Sequence, residues 1–369
     1  MGIRVEKLCK EYEGKYLIKD LSLEIPSGSF TTIFAPTGTG KTTLLRILAG
    51  IEKPTSGKVY YDDTDVTHLA VQARNIAMVY QEYVNYPSLT VYENIASPLR
   101  VSRNKYSKSA IDDKVHHIAT VLKINHVLDH FPEQLSGGEK QRTAIARALV
   151  KEARFIFLDE PLGNLDYKLR EELRGELKSV FKGCTIIYAT PEPIDALVMS
   201  THVGFLSMGK ITQFGPVNEV YSRPGFAEVG YYFNDPPMNL LDCRPIDRNG
   251  ILYLKASEHL MFEVNRFREM LTDTEYILGL RPQHVVLSET PIADSIALQV
   301  SIDFSEIVGS KTTLHLVHED MKLGCVVNKL QKMHRNGQTI TAYIDPCCLF
   351  VFEKKTGRLV IADSEAVCR

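Results

Sequence analysis

The sequence predicts an α/β domain over residues 1–235 followed by a smaller β-rich domain over residues 236–369. Three observations carry this. Short apolar strands alternate with helical stretches through the first two-thirds of the chain, the pattern of an α/β domain. A Gly-rich loop joins the first clear strand to a helix. Beyond Pro236-Pro237 the pattern changes to short alternating segments such as ALQVSIDF, KTTLHLV and TITAYID, separated by turn residues. A length of 369 residues is also long for a single core.

The first strand, Thr31–Phe34, runs into Ala35-Pro36-Thr37-Gly38-Thr39-Gly40-Lys41-Thr42-Thr43 and then the helix TLLRILAG. This order suits a phosphate loop. Backbone N–H groups wrap a β-phosphate, the helix N-terminus favours negative charge, Lys41 reaches the β- and γ-phosphates, and the Thr42 hydroxyl ligates Mg²⁺. Residues Pro36 to Thr43 are therefore the expected ATP-binding set. Ala35 stands where the pattern usually has its first glycine, which is tolerable if its φ stays negative.

The next strand, Phe155–Leu158, ends in Asp159-Glu160. Asp159 suits a contact to Mg²⁺, direct or through water, and Glu160 suits polarising an attacking water. A helix follows, with Leu169, Leu173, Leu177 and Phe181 along one stripe. Between the two motifs, within a helical zone of about residues 88–150, Leu135-Ser136-Gly137-Gly138-Glu139 opens the helix TAIARALV. That is a second anion cradle. One chain needs only one cradle for one γ-phosphate; a dimer uses both if each chain's second cradle closes on the partner's nucleotide. A hairpin is expected at Met208-Gly209.

Composition narrows the partners. The chain is 44% hydrophobic and 24% charged, with a formal net charge of −2. That balance argues against a nucleic-acid binder whose affinity comes from charge. There is no apolar run of 18 residues, and MGIRVEKLCK lacks a signal-peptide core, so a cytoplasmic location is expected. The seven cysteines are scattered, without a CxxC pair, and reduced thiols are expected.

Taken together, these motifs resemble the ATPase subunits of ABC transporters over essentially the whole chain. The resemblance implies an ABC-type nucleotide-binding domain with a helical subdomain, followed by an OB-like regulatory domain. It makes residues 135–139 the signature motif that contacts the partner's nucleotide, with Glu139 where glutamine is commoner. Gln81 in MVYQEY becomes the residue that touches Mg²⁺ and signals to the membrane subunits. Asp166 falls in the D-loop, and Tyr12 sits where an aromatic ring stacks on adenine. PPMNLL at 236–241 and LGLRPQHVVL at 278–287 resemble the carbohydrate-importer branch, like maltose-type ATPase subunits. Arg281 and His284 there read as structural or domain-contact residues. The implied partners are two transmembrane permease subunits, with an extracytoplasmic solute-binding protein acting indirectly. The implied location is the cytoplasmic face of the inner membrane, and the stretch from Tyr86 to Leu99 would carry the groove for a coupling helix.

One departure stands out. TIIYATPEP, residues 185–193, reads as a strand buried on both faces that ends in a turn. The family has a γ-phosphate-contacting histidine at that turn; here the position is Pro191, with Glu192 where aspartate is usual. Proline donates no hydrogen bond, and losing one preorganised donor costs about 2.7–4 kcal/mol of transition-state stabilisation. The expectation is a site that binds ATP but hydrolyses it weakly. Pairing with a second, different ATPase subunit would leave one strong site, and some importers of glycerol and related polyols resemble this pattern. The alternatives are a homodimeric ATPase of an oligosaccharide importer, or a regulatory ABC protein with little hydrolysis.

Overall fold

The computed structural model describes residues 2–102, 106–163, 165, 167–180, 183–308, 311–327 and 337–362. The chain divides into two compact units, Met1–Val217 and Asn218–Arg369.

The first unit opens with two long strands, β1 (Ile3–Tyr12) and β2 (Lys15–Ile25), then β3 (Phe30–Phe34), α1 (Lys41–Ala49), β4 (Ser56–Tyr61), β5 (Thr64–Asp65) and β6 (Ile76–Val79). The helical zone is α2 (Val91–Arg100), α3 (Lys108–Val121) and α4 (Gly137–Leu149). The chain then returns through β7 (Phe155–Asp159), α5 (Tyr167–Val180), β8 (Thr185–Thr190), α6 (Pro193–Met199), β9 (His202–Ser207) and β10 (Lys210–Pro216). An antiparallel sheet has the order β2-β1-β4-β5, and a six-stranded sheet the order β10-β9-β3-β8-β7-β6.

Within the larger sheet β9, β3, β8, β7 and β6 run parallel. Their alternate residues feed two cores. Phe155, Phe157, Ile187 and Ala189 pack on the α1 side, and Ile156, Leu158, Ile186 and Tyr188 pack on the α2, α4 and α5 side. Burial on both faces explains the unbroken apolar runs of the sequence.

The helices start where the sequence provides caps. Thr90 and Glu93 form a capping box on α2, Ser107 caps α3, and Ser136 with Glu139 caps α4. On α5, Leu173 and Leu177 are buried and Leu169 packs beside them; Phe181 lies outside the described residues. The expected hairpin is present, β9 pairing with β10 across Met208 and Gly209, both left-handed.

The second unit takes in most of α7 (Val217–Ser222), then α8 (Ala227–Tyr232), β11 (Asn239–Arg248), β12 (Ile251–Lys255), β13 (Met261–Glu263), β14 (Tyr276–Leu280) and β15 (Val285–Leu287). It continues with β16 (Ile296–Val308), β17 (Lys311–His318), β18 (Met321–Val327), β19 (Thr339–Ile344), β20 (Leu349–Glu353) and β21 (Leu359–Ala362). Two sheets, β13-β12-β11-β14-β20-β21 and β15-β19-β16-β17-β18, share one apolar core. The unit begins at Asn218 rather than at residue 236 because the segment before Pro236 hydrogen-bonds into it: Ala227 N–H donates to Gly357 O and Leu359 N–H to Gly225 O.

Cys9, Cys184, Cys243, Cys325 and Cys348 carry no disulfide, whereas Cys347 is disulfide-bonded, against the expectation of reduced thiols throughout. Among the described residues no helix is long and apolar enough to cross a membrane.

Candidate functional site

Four adjacent strands, β3, β8, β7 and β6, deliver four loops to the carboxyl edge of one parallel sheet. That edge is where open α/β sheets bind ligands. The loop after β3 is the phosphate loop, Asp159-Glu160 ends β7, Gln81 follows β6, and Pro191 follows β8. A cavity of about 300 Å³ lies there, lined among others by Thr37, Gly38, Lys41, Thr42, Gln81 and Glu160.

The phosphate loop has the backbone its residues require. Gly40 has φ 98°, and a Cβ there would fall 3.0 Å from Leu17 Cγ, so only glycine fits without strain. Ala35 keeps a negative φ, which is why it substitutes for glycine. Lys41 is 3% exposed. Its ammonium donates to Ala35 O and Pro36 O, both at 2.9 Å, and lies 3.4 Å from Glu160 Oε1. Burial pulls its pKa below the usual lysine range, against the opposing pull of Glu160.

Thr42 Oγ1 donates to Asp159 Oδ1 at 3.0 Å. Asp159 is 1% exposed, and its Oδ2 is buried without a partner. A buried carboxylate oxygen left open beside a threonine hydroxyl fits a divalent cation that completes its shell with phosphate oxygens and water. Burial raises the Asp159 pKa, with Thr42 and the nearby cations opposing. Gln81 Nε2 donates to Glu160 Oε2 at 3.3 Å, and the Glu160 N–H is pinned to Ala189 O at 2.9 Å. Glu160 itself has φ 44°, a strained value for a side chain of its size.

At the end of β8 the backbone still joins its neighbour, Ala35 N–H donating to Thr190 O at 3.4 Å. The turn rests on a buried polar network. Asp195 accepts from Arg174 Nε at 2.6 Å, from Tyr188 OH at 2.8 Å and from Thr190 Oγ1 at 3.3 Å. Thr190 Oγ1 in turn accepts from Glu192 N–H at 3.1 Å, and Pro193 occupies the first turn of α6. Arg170 braces the outer side, 3.3 Å from both Glu192 Oε1 and Gly163 O. Among the described residues no histidine lines the cavity. His202 pairs beside Thr31 at the opposite, amino end of the sheet. Tyr188, Thr190 and Asp195 are buried around a turn whose next residue, Pro191, has no N–H.

The second cradle is built but lies elsewhere. Ser136 accepts from Glu139 N–H at 3.3 Å, and Glu139 Oε2 accepts from Ser136 N–H and Oγ at 2.8 and 2.7 Å. The Ser136 hydroxyl holds the Glu139 carboxyl below its usual range. Gly138 is required because a Cβ would come 2.4 Å from Leu169 Cδ2. None of Ser136, Gly137, Gly138 or Glu139 lines the phosphate cavity of its own chain. Asp166 lies outside the described residues.

Tyr12 is 45% exposed at the end of β1, its hydroxyl donating to Glu52. Lys10, Leu17 and Glu52 escaped the sequence reading. The one sequence signal was the i, i+2 spacing that puts Lys10 and Tyr12 on the same face of a strand.

A groove of about 1100 Å³ runs over the helical zone, lined in part by Tyr86, Pro98, Val101, Arg74, Arg147 and Lys151 and, among the described residues, by no carboxylate. Arg147 lies 4.2 Å over the Tyr86 ring.

Residues 18–163 match the ABC transporter family. The chain is 35% identical to the sulfoquinovosyl glycerol transport ATP-binding protein SmoE of Agrobacterium fabrum, over 97% of this chain and 99% of that one. It is 31% identical to the trehalose/maltose import ATP-binding protein MalK of Thermococcus litoralis, over 97% and 99% of the two chains. With the sn-glycerol-3-phosphate import ATP-binding protein UgpC of Yersinia pestis the identity is 32%, over 96% and 98%. Among solved structures, the dimeric post-hydrolysis state of the ATP-binding cassette MJ0796 bound to ADP and Pi superposes with a TM-score of 0.54 at 29% identity, covering 58% of this chain and 98% of that one.

Proposed function

The chain belongs to the ATP-binding proteins of carbohydrate-type ABC importers, and on that premise we propose that it powers uptake of a small carbohydrate or polyol from the cytoplasmic face of the membrane, with an own ATP site that is the weaker of two. ATP hydrolysis coupled to import, together with membrane permease subunits, is the activity of the family. The residue roles are ours. Lys41 exchanges the carbonyls of Ala35 and Pro36 for β- and γ-phosphate oxygens, and the N–H groups from Pro36 onward to Thr43 (proline itself lacking one) cradle the β-phosphate. Thr42, Asp159 and Gln81 would hold Mg²⁺, which would supply charge neutralisation at the phosphates. Glu160, fixed by Gln81 and by Ala189 O, orients the attacking water. The Ser136 to Glu139 cradle completes the site of a partner chain, since it does not reach the phosphate cavity of its own. The basic and apolar groove beside α2 accepts a helix of the permease.

The observation that carries the weak-site reading is Pro191 at the end of β8, beside the phosphate loop. Lys41, Thr42, Gln81 and Glu160 line the phosphate cavity and Asp159 bonds Thr42, which supports a defect in transition-state stabilisation rather than in nucleotide binding. Pairing with a second, different ATPase would preserve turnover. A polyol cargo, glycerol-derived in its chemistry, is supported by two of the relatives above, whose names refer to glycerol derivatives. The trehalose/maltose relative supports a homodimeric oligosaccharide importer as the second reading.

Intact-mass analysis of the detergent-solubilised complex, captured through a tag on this chain, tests the pairing. Two different ATPase chains in equal amounts are expected beside the permease chains. Two copies of this chain would overturn the heteromeric arrangement and place the reaction on Glu160 and Gln81 alone.

A further inference from the structure

At the rim of the nucleotide site three side chains form a cluster that the roles above leave unused. Lys10 sits 4.8 Å over the Tyr12 ring centroid and 2.8 Å from Glu52 Oε1, and it also donates to Lys53 O at 2.9 Å. The same carboxylate accepts the Tyr12 hydroxyl, and the nearby Thr43 side chain weakly counters the rise of that hydroxyl's pKa. Thr43 lines the phosphate cavity. Glu52 stands just past the exit of α1, where its N–H donates to Arg46 O at 3.2 Å. The following loop is laced onto β1 by Thr55 N–H to Cys9 O at 2.8 Å and Glu11 N–H to Thr55 Oγ1 at 3.0 Å.

We propose that Lys10 and Glu52 are positioning residues that clamp Tyr12, covering one face of its ring and fixing its hydroxyl so that the other face is presented to the base of the bound nucleotide. This rests on the reading of Tyr12 as the base-stacking residue. The clamp removes the rotamer freedom that a half-exposed tyrosine would otherwise lose on binding. It also ties the base platform, through Glu52 and α1, to the helix that begins at the phosphate loop. At neutral pH the Tyr12 hydroxyl keeps its proton and the Glu52 carboxyl stays ionised, as the clamp requires. The bond to Glu52 pushes the Tyr12 hydroxyl up. Burial raises Glu52, but hydrogen bonds from Lys10 and Tyr12 outweigh it and hold the carboxyl below its usual range.

The test compares two ligands of the full-length chain, ATP and inorganic tripolyphosphate, by titration calorimetry. Tripolyphosphate uses the phosphate loop and has no base. Glu52→Ala and Lys10→Met are expected to weaken ATP binding by about fivefold to tenfold, as loss of part of one stacked contact would, and to leave tripolyphosphate binding as in the wild type. Tyr12→Ala should weaken ATP at least as much, and adding Glu52→Ala to it should cost nothing further, because the clamp acts only through the ring. Unchanged ATP affinity in both single variants would overturn the proposal. So would an equal loss for tripolyphosphate, which would make the cluster a general support of the fold. A wild-type chain that binds ATP no tighter than tripolyphosphate would overturn both the clamp and the assignment of Tyr12, while leaving the phosphate-loop assignment standing.

Discussion

The ends of β3 and β8 lie side by side in one sheet, joined by Ala35 N–H to Thr190 O, yet they are equipped differently. Beyond β3 come a buried ammonium, two positive-φ glycines and a helix N-terminus, all suited to a polyphosphate. Beyond β8 comes a proline. Below that proline the support is intact: Asp195, Arg174, Tyr188 and Thr190 form a satisfied buried network. Scaffold and chemistry are thus separable at this edge. On the proposed reading of Pro191, a turn can keep its architecture while losing a donor.

Breaking the equipped end should give the largest effect. Lys41→Ala removes the cation that faces the phosphates, and ATP hydrolysis in the purified complex should fall at least about a hundredfold, with ATP affinity lost in parallel. The support of the β8 turn comes next. Asp195→Asn leaves Arg174 buried without its counter-charge, which costs about 3–5 kcal/mol. For a unit of this size that lowers the melting temperature by roughly 10 °C, readable by calorimetry. If the loss were under about 1 kcal/mol, the typical net worth of a hydrogen bond, the turn would not depend on that network.

Asp159→Asn sharpens the contrast with a smaller effect. The folded-state pKa of Asp159 is raised, mainly by burial, so the aspartate's favourable contribution is full below its unfolded pKa and is lost as pH rises through the folded value. The asparagine variant should therefore melt above the wild type at pH 7, and the gap should close as the pH falls towards 4. A constant gap would mean that the carboxylate is not the source.

Much of the equipped end could be read in the sequence, because phosphate chemistry imposes a fixed order of strand, glycines, lysine and helix. The start of α4 was legible for a similar reason, since Ser136 and two glycines stand immediately before the helix, whereas the Ser107 cap of α3 lay unread in a polar tract. The antiparallel sheet of β1, β2, β4 and β5 was not. Its alternation is interrupted by register shifts between Val5 and Leu8 and again near Lys10, and its edge strand β2 is half exposed. The network under Pro191 was hidden too. Arg174 reads as part of the polar face of an amphipathic helix, and Asp195 as an ordinary acid near a helix N-terminus; only the fold brings them 2.6 Å apart. The same holds for Lys10 and Glu52, which lie on different elements and meet across β1 and the loop after α1. The unit boundary moved to Val217 because backbone hydrogen bonds, rather than the Pro236-Pro237 pair, decide where the residues between them belong.

The measurement that bears most directly on the account is the single-turnover cleavage rate of ATP bound to this chain's own phosphate loop, compared between the wild type and Pro191→His. Restoring one donor at the end of β8 should speed cleavage by roughly a hundredfold, with ATP affinity nearly unchanged. An unchanged rate, with the variant folded and ATP bound, would mean that Pro191 is not what limits this site.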